Sequence, residues 1–584
     1  MRSPFEIHIG PSLSVLCVTL LIISSLVVIH ADGAEGSLIE VDDDPGKDYT
    51  SISEAVDNAE DGDTILIYNG TYEEDVVIDK ELSLEGTYKD GVQMVSVDQE
   101  GVGLDVRSDN CTVSGMTLKN YGIGISVSGA GGTYISNCVL DGGDRGVHIA
   151  DSQNVELSDN SFYNTTSFSI RCLNSTSLDL KRNDVSGSGY YASYLSRTRG
   201  VQIRDSIMTD NKNGLYIYKS VNTHVEDSHI SNGLNLDGDD PLHWTSHRLI
   251  NNTCDGGEII AFTNKTDIFL QERSGQVILL NVTNSVISLS KMEGTEVGLL
   301  MAYSGKNRFI GNTFMNNSQG IKIHRSRENE IHHNNLIDNV KPVYSPDNSS
   351  YDNTWSDGLG DGNHWCGYDG KDNGSSGRYG GDGVGDTLLP YPEIDHGDGF
   401  YRLDPDPLMN TTRVVEHNIT LGLDSDWEFI SPGLVLVNRS VEDFLTTIAG
   451  SYDKVMHYCS CEREWKTFVP YRSGKYDDLH LLNRSMGFWI HMTSPDDLTV
   501  KGCTPARTKI LLQNGWNMVG ISSNGTVNGS SLPDQVDRIA LRNSSREYGL
   551  QYIFSQNVTL NSSSGYLFYQ SSDQHIFWNQ VWDD

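Results

Sequence analysis

The sequence predicts an all-β chain whose main body is a right-handed parallel β-helix (solenoid) with an N-terminal capping helix, followed by a tandem small β-domain. Three observations lead there. A repeat of 22 to 23 residues runs through the first half, a column of small polar residues recurs within it, and a helical segment at its start gives way to short alternating strands.

The repeat is visible in GIGISVSGAGGTYISNCVL from Gly122, GVHIADSQNVELSDNSF from Gly146, SIRCLNSTSLDLKRNDV from Ser169 and GLYIYKSVNTHVEDSHI from Gly214. Each unit holds two short alternating strands, a turn and a third short strand. Aligned by this pattern, Cys138, Asn160, Asn183, Ser206 and Ser228 share one column, which Asn312 and Asn334 rejoin. Stacked turns need such residues, because a side-chain amide satisfies backbone groups at a buried corner. A single coil cannot bury its apolar face, so coils stack with parallel strands about 4.8 Å apart. At the open end, YTSISEAVDNAE (residues 49–60) places Ile52, Ala55, Val56 and Ala59 at helical spacing, with Ser51 and Glu54 as a capping box and Gly62 as a stop.

The stretch DYTSISEAVDNAEDGDTILIYNGTYEEDVVIDKELSLEG and the coils after it resemble the pectin-lyase-like β-helix superfamily, especially NosD-type and carbohydrate-binding or sugar-hydrolysis β-helix proteins of archaeal surfaces. The resemblance covers residues 38–340, with the register interrupted over 235–290 and the period returning at Gly298 and Gly320. It implies a carbohydrate-related role, and for the NosD type a link to copper-site maturation.

Residues 341–414 form a Gly/Asp-rich closing module. Asp369, Asp372, Asp382 and Asp386 offer carboxylates between glycines, so this segment reads either as a calcium loop or as Asx turns and glycine hinges. Residues 415–584 repeat a pattern. WEFISPGLVLV from Trp427 and GWNMVGISS from Gly515 each lead, further on, to a closing segment, GFWI or GYLF, which predicts two related β modules.

Of nine cysteines, Cys17 falls in the leader. Cys111, Cys138 and Cys172 take inward positions and read as core residues. Cys459, Cys461 and Cys503 leave room for one bridge, with Cys503 pairing to either of the others.

Compartment is read from two features. Residues 13–29 are apolar and uncharged, a secretory signal within residues 1–31 or an uncleaved anchor and then the one membrane attachment. Nineteen Asn-x-Ser/Thr sequons, among them Asn69, Asn164, Asn264, Asn438, Asn483, Asn543 and Asn561, exceed the roughly seven expected by chance and predict a glycosylated, extracellular protein. The net charge of −37 excludes nucleic acid as a partner, because phosphate binding needs a concentrated basic surface.

Stacking outward positions on paper gives one lane of His148, Arg171, Tyr194 and Tyr216, continued by Lys322, with Tyr218 and His324 beside it. Tyrosine faces flanked by polar groups suit sugar rings. A second column runs Asp159, Arg182, Asp205, Asp227. Like charges one strand apart are costly unless a proton or cation separates them, which makes Asp205 and Asp227, with Arg182 near, the candidate catalytic or calcium-holding group. The pairs His243/His247 and His332/His333 are the candidate copper or zinc ligands, and they lack a third partner at a recognisable spacing. These residues predict a protein that binds polysaccharide or other cell-envelope components without catalysis. The alternatives are a lyase or hydrolase of uronate polymers and a copper accessory protein.

Overall fold

The computed structural model describes residues 36–584 except 347–349, 351, 369, 376–379, 388–403, 412–415, 471–476, 524, 544, 546–548, 555–557 and 582–584. The predicted leader and Asp369 lie outside the described residues. No helix among the described residues is long and apolar enough to cross a membrane.

The fold is a parallel β-solenoid. Three sheets line its first segment, of ten strands (Leu38–Val41 through Arg248–Ile250), eight strands (Val76–Ile78 through Leu234–Asp237) and fourteen strands, the last of which runs on into the second segment. Alternation sends Val147, Ile149, Ile170, Cys172, Leu195 and Ile217 into one continuous core. Cys111, Cys138 and Cys172 are fully buried there, with Cys172 beside Ile149 as the repeat predicts.

The polar column forms a hydrogen-bonded ladder. The N–H of Cys138 donates to Asn160 Oδ1 (3.0 Å), that of Asn160 to Asn183 Oδ1 (3.2 Å), and that of Ser228 to Asn252 Oδ1 (3.1 Å). In the second segment Ser290, Asn312 and Asn334 donate in the same way to Asn312, Asn334 and Asn363. Each asparagine Nδ2 also reaches a carbonyl of the preceding coil, as Asn312 does to Ile287 (2.9 Å). The residue before each rung is left-handed: Asn137, Asp159, Arg182, Asp205 and Asp227 have φ of 50 to 58°. Asn and Asp tolerate that conformation best among side-chain-bearing residues, which accounts for acids recurring in the column.

Helix Ile52–Asn58 buries Ile52, Ala55 and Val56 and packs against Val76–Ile78, the first strand of the eight-stranded sheet. Ser51 accepts the Glu54 N–H, but the other donors of this end go to Glu74, whose carboxylate takes the N–H groups of Ile52 and Ser53. Long-range capping therefore replaces half of the predicted box.

The interruption is an elbow. Strand Asn252–Cys254 turns back antiparallel into Gly257–Thr263, pairing Cys254 with Gly257. After the reversal the long strands Gln276–Leu280, Val297–Ala302 and Gln319–His324 extend the fourteen-stranded sheet, while the eight-stranded sheet ends at Leu234–Asp237. Lys322 and His324 thus belong to a different sheet from Tyr194 and Tyr216, and their predicted place in the tyrosine lane is corrected.

Beyond residue 415 two antiparallel four-stranded sheets share one strand order. The first runs Asp426–Ile430, Phe488–Met492, Tyr452–Cys459, Glu464–Phe468; the second runs Gly515–Gly520, Gly565–Gln570, Val536–Arg542, Leu550–Phe554. Their contacts are reciprocal. Ile430 bridges Ser564 while the equivalent Val519 bridges Met486, so the modules pack about a local pseudo-two-fold axis. Cys503 is buried against Ile310 and Val435, and the thiols of the half-buried Cys459 and the exposed Cys461 meet each other at 2.6 Å. The anticipated bridge from Cys503 is not formed, because the strand that carries it packs on the solenoid.

Arginines dock the C-terminal modules. Arg484 lies between Asp357 and Asp361, Arg507 between Asp382 (3.0 Å) and Asp406 (2.7 Å), and Glu330 between Arg308 (2.9 Å) and Arg439 (2.9 Å). Burial alone would raise the Glu330 carboxyl, yet His332, Arg439 and Arg308 outweigh it and hold it at about 2, below the ordinary 4.5. A depressed carboxyl stabilises the fold above its unfolded pKa and loses that contribution as pH falls through the folded one. Urea midpoints between pH 5 and about 2 are therefore expected to fall less steeply in Glu330→Gln than in the parent, and equal slopes would contradict the assignment.

Candidate functional site

The outer face of the eight-stranded sheet carries the candidate site. Its register aligns Arg145, Phe168 and Tyr191 in one column and His148, Arg171, Tyr194, Tyr216 and Asn235 in the next. Ser196, Tyr218 and Asp237 form a third. The predicted order of His148, Arg171, Tyr194 and Tyr216 is reproduced residue for residue. Four strand steps make this face roughly 19 Å long.

The rings form a continuous ladder. Phe168 meets Tyr194 at 5.2 Å and Tyr190 at 5.4 Å, Tyr191 stacks on Tyr216 at 5.2 Å and 16°, and Tyr216 reaches Tyr218 at 6.2 Å. Tyr190 is 46% exposed, while Phe168, Tyr194, Tyr216 and Tyr218 are half-buried. Rigid, partly exposed rings held by neighbouring rings present a preformed apolar strip with hydroxyls at its edge. Phe168, Tyr190 and Tyr191 were not singled out from sequence, although the doubled tyrosine in GYYASYLS marks the last two.

At the elbow the strip ends on a buried polar cluster. Glu296 Oε1 accepts from Tyr191 Oη (2.8 Å) and Asn235 Nδ2 (2.6 Å). Lys322 Nζ donates to Asn235 Oδ1 (2.9 Å) and the Leu236 carbonyl (2.8 Å), with Asp237 at 3.5 Å and also bonded by Tyr216 Oη (3.3 Å). Burial pushes the Glu296 carboxyl up and the Lys322 amine down. Trp244, fully buried, stacks on His324 at 4.4 Å. Lys322 and His324 thus fasten the two segments together, and Glu296 Oε2 is sealed from solvent.

Asp205 and Asp227 are exposed at their left-handed turns, and Arg182 pairs in bidentate fashion with Asp159 (2.7 Å to each oxygen). The guanidinium expected beside the carboxylate pair is already engaged on the preceding coil. His247 accepts the Thr223 N–H and bonds the His243 carbonyl, filling a place in the inner polar ladder. His332 and His333 are buried against each other, with His333 on Asp361 (3.2 Å).

The closing-module aspartates do not converge. Asp372 accepts the N–H groups of Gly381 and Gly383, Asp386 those of Asn373, Gly374 and Ser375, and Asp382 binds Arg507. Among the described residues three groups of metal-ligating atoms come together, namely Cys459/Cys461/Glu462, His333/Asp357/Asp361 and Asp42/Asp43/Asp44, and none includes these aspartates. The second of them is already neutralised by Arg484.

Of the sequon asparagines, Asn69, Asn164, Asn264 and Asn561 are exposed and Asn438, Asn483 and Asn543 half-buried. A separate depression of about 670 Å³ lies on the second segment, lined by Tyr303, Lys306, Arg325, Arg327 and Glu328 among others. Its residues are scattered over three coils and left no sequence signal.

A family model described as "Right handed beta helix region" matches residues 100–253, and one described as "Periplasmic copper-binding protein (NosD)" matches residues 194–370. No curated protein matches the chain. Among solved structures, PfbA, a surface adhesin of Streptococcus pneumoniae, aligns at 11% identity over 52% of this chain and 87% of its own, with a TM-score of 0.32. The catalytic domain of a GH87 α-1,3-glucanase in complex with nigerose aligns at 13% identity over 56% and 68%, TM-score 0.32. An alginate lyase from Paenibacillus sp. str. FPU-7 aligns at 12% identity over 54% and 98%, TM-score 0.25. At such scores these likenesses carry no argument about activity.

Proposed function

We infer that this chain, which belongs to the right-handed β-helix superfamily, is an exported protein that binds carbohydrate of an extracellular polymer or cell envelope along its tyrosine face, without turning it over. The observation that carries this reading is the ladder from Phe168 to Tyr218, because sugar rings pack their C–H faces on such rings while their hydroxyls find polar edges. The sequon excess supports a place outside the cytoplasm, as does the NosD family's description as periplasmic.

Catalysis is disfavoured by the same geometry. Asp205 and Asp227 stand exposed without Arg182, and the buried carboxyl at the end of this face, Glu296, turns its second oxygen away from solvent. The copper-accessory reading is weakened because both histidine pairs are held by backbone, side-chain or mutual hydrogen bonds.

Tyr194→Ala and Tyr216→Ala are each expected to weaken glycan binding by about tenfold or more, roughly 1–2 kcal/mol, measured by calorimetry on a glycan found by array. Reducing-end and unsaturated-product assays on the same glycan are expected to stay at background. Product formation lost in Asp205→Ala and Asp227→Ala would replace binding by catalysis as the conclusion.

A further inference from the structure

The basic end of the tyrosine face extends the carbohydrate-binding reading, on which it rests, to the charge of the ligand. Arg171 lies between His148 and Tyr194 on adjacent strands, its guanidinium 5.7 Å from the centre of the Phe168 ring. Among the described residues it makes no ion pair, and its Nε is buried without a hydrogen-bond partner. That is an unusual state for a half-buried arginine in a chain of net charge −37, where acids outnumber bases by 79 to 42.

The acids bordering this end are already engaged. Asp144 faces Arg145 at 3.2 Å, and Asp151 accepts from Asn174 at 3.2 Å. Burial and the nearby positive charge of Arg145 both disfavour the charged Arg171, a cost that an anion beside it would relieve. His148 is kept neutral by burial and by Arg171 and Arg145, which lower its pKa to about 4, so it brings polar nitrogens without further charge. At the opposite end of the face the cations are spent, since Lys219 is paired with Asp239 (2.7 Å) and Lys322 is buried beside Asp237.

We propose that Arg171, flanked by Arg145 and His148, is a subsite for one anionic substituent, a carboxylate or a sulfate, on an otherwise neutral glycan lying along the tyrosines. A planar guanidinium over an aromatic ring matches either oxyanion through paired N–H donors, and the ring beside it receives the sugar. One unpaired guanidinium balances one charge. A uniformly anionic polymer would meet the acidic surface of the rest of the chain, against which the exposed Arg197 at the edge of this face offers one further positive charge, and is rejected on electrostatic grounds.

The test uses the purified chain and four kinds of probe: neutral hexose and N-acetylhexosamine oligosaccharides, the same oligosaccharides with one terminal uronate, the same with one sulfate, and polygalacturonate. A singly charged probe is expected to bind about tenfold or more tighter than its neutral parent, with the preference shrinking as salt rises. Arg171→Gln is expected to cost the singly charged probe more than its neutral parent and so to remove that preference, whereas Arg171→Lys keeps part of it. The uronate and sulfate arms tell which oxyanion is held. Equal affinity for neutral and singly charged probes, an equal loss for both in Arg171→Gln, or tightest binding of polygalacturonate would overturn the subsite. Tyr194→Ala without effect on any probe, or no binding at all, would overturn the tyrosine-face reading instead.

Discussion

Replacing Arg484 by alanine is expected to undock the C-terminal modules from the solenoid, at a cost of about 3–5 kcal/mol. Its guanidinium is 2% exposed and spends its donors in four directions, on Asp357, on Asp361 Oδ2 (3.0 Å), on Thr508 Oγ1 (2.8 Å) and on the Arg507 carbonyl (2.9 Å). Removing it leaves the carboxylate of Asp361 fully buried, beside the carboxylate of Asp357 and without its direct guanidinium partner, held by His333 and the N–H groups of Ala506 and Arg507. Arg484→Lys is expected to recover little, since one ammonium cannot reproduce a planar fork. Adding Asp361→Asn to Arg484→Ala should restore part of the loss, because the stranded charge is then gone. Calorimetry would register undocking as a new transition at lower temperature, and an unchanged single transition in Arg484→Ala would refute the clamp.

The second large effect is expected inside the solenoid. Asn312→Leu keeps approximate volume but removes a rung whose Oδ1 accepts the Ser290 N–H (3.1 Å) and whose Nδ2 serves the Ile287 carbonyl (2.9 Å) and Asn334 Oδ1 (3.0 Å). Two backbone groups are left buried and unpaired, at about 1–3 kcal/mol each. The denaturant midpoint should drop accordingly, with hydrogen exchange accelerated first in the coils that flank residue 312. Gln202, exposed on the strand Gln202–Arg204 with an ordinary extended backbone, is the control site, where substitution by leucine should change stability by less than about 0.5 kcal/mol. A loss at Asn312 no larger than at Gln202 would mean that the ladder is ornamental.

Those two predictions lie on opposite sides of what the sequence could reveal. The rungs were legible because a buried corner tolerates few residue types and each coil repeats the demand. The order from His148 to Tyr216 followed from counting between rungs. Counting failed at Lys322 and His324. GIKIH has the same local pattern as GLYIY, but the reversal between Cys254 and Gly257 transfers the long strands to another sheet, a change of topology that leaves no mark on local periodicity. The Glu296 cluster and the Arg484 clamp were illegible for a related reason. Asn235 and Glu296 are 61 residues apart, and Arg484 and Asp357 are 127 apart, so nothing in either neighbourhood announces the partner. The aspartates at 372, 382 and 386 show the converse. A composition suited to a cation instead serves to accept backbone N–H groups and one arginine.

The exchange of Ile430 with Ser564 and of Val519 with Met486 means that the tail of this chain is, in effect, a homodimer whose two subunits have been joined end to end. A free pair of modules would associate only as far as its concentration allowed. Tethering turns that association into an intramolecular step with an effective concentration in the millimolar range, so the pair persists at any dilution. It also frees the two copies from identity. Once each face meets a fixed partner, substitutions on one module can be answered on the other, and the Phe–Trp–Ile of the first closing strand can drift to the Tyr–Leu–Phe of the second without loss of fit.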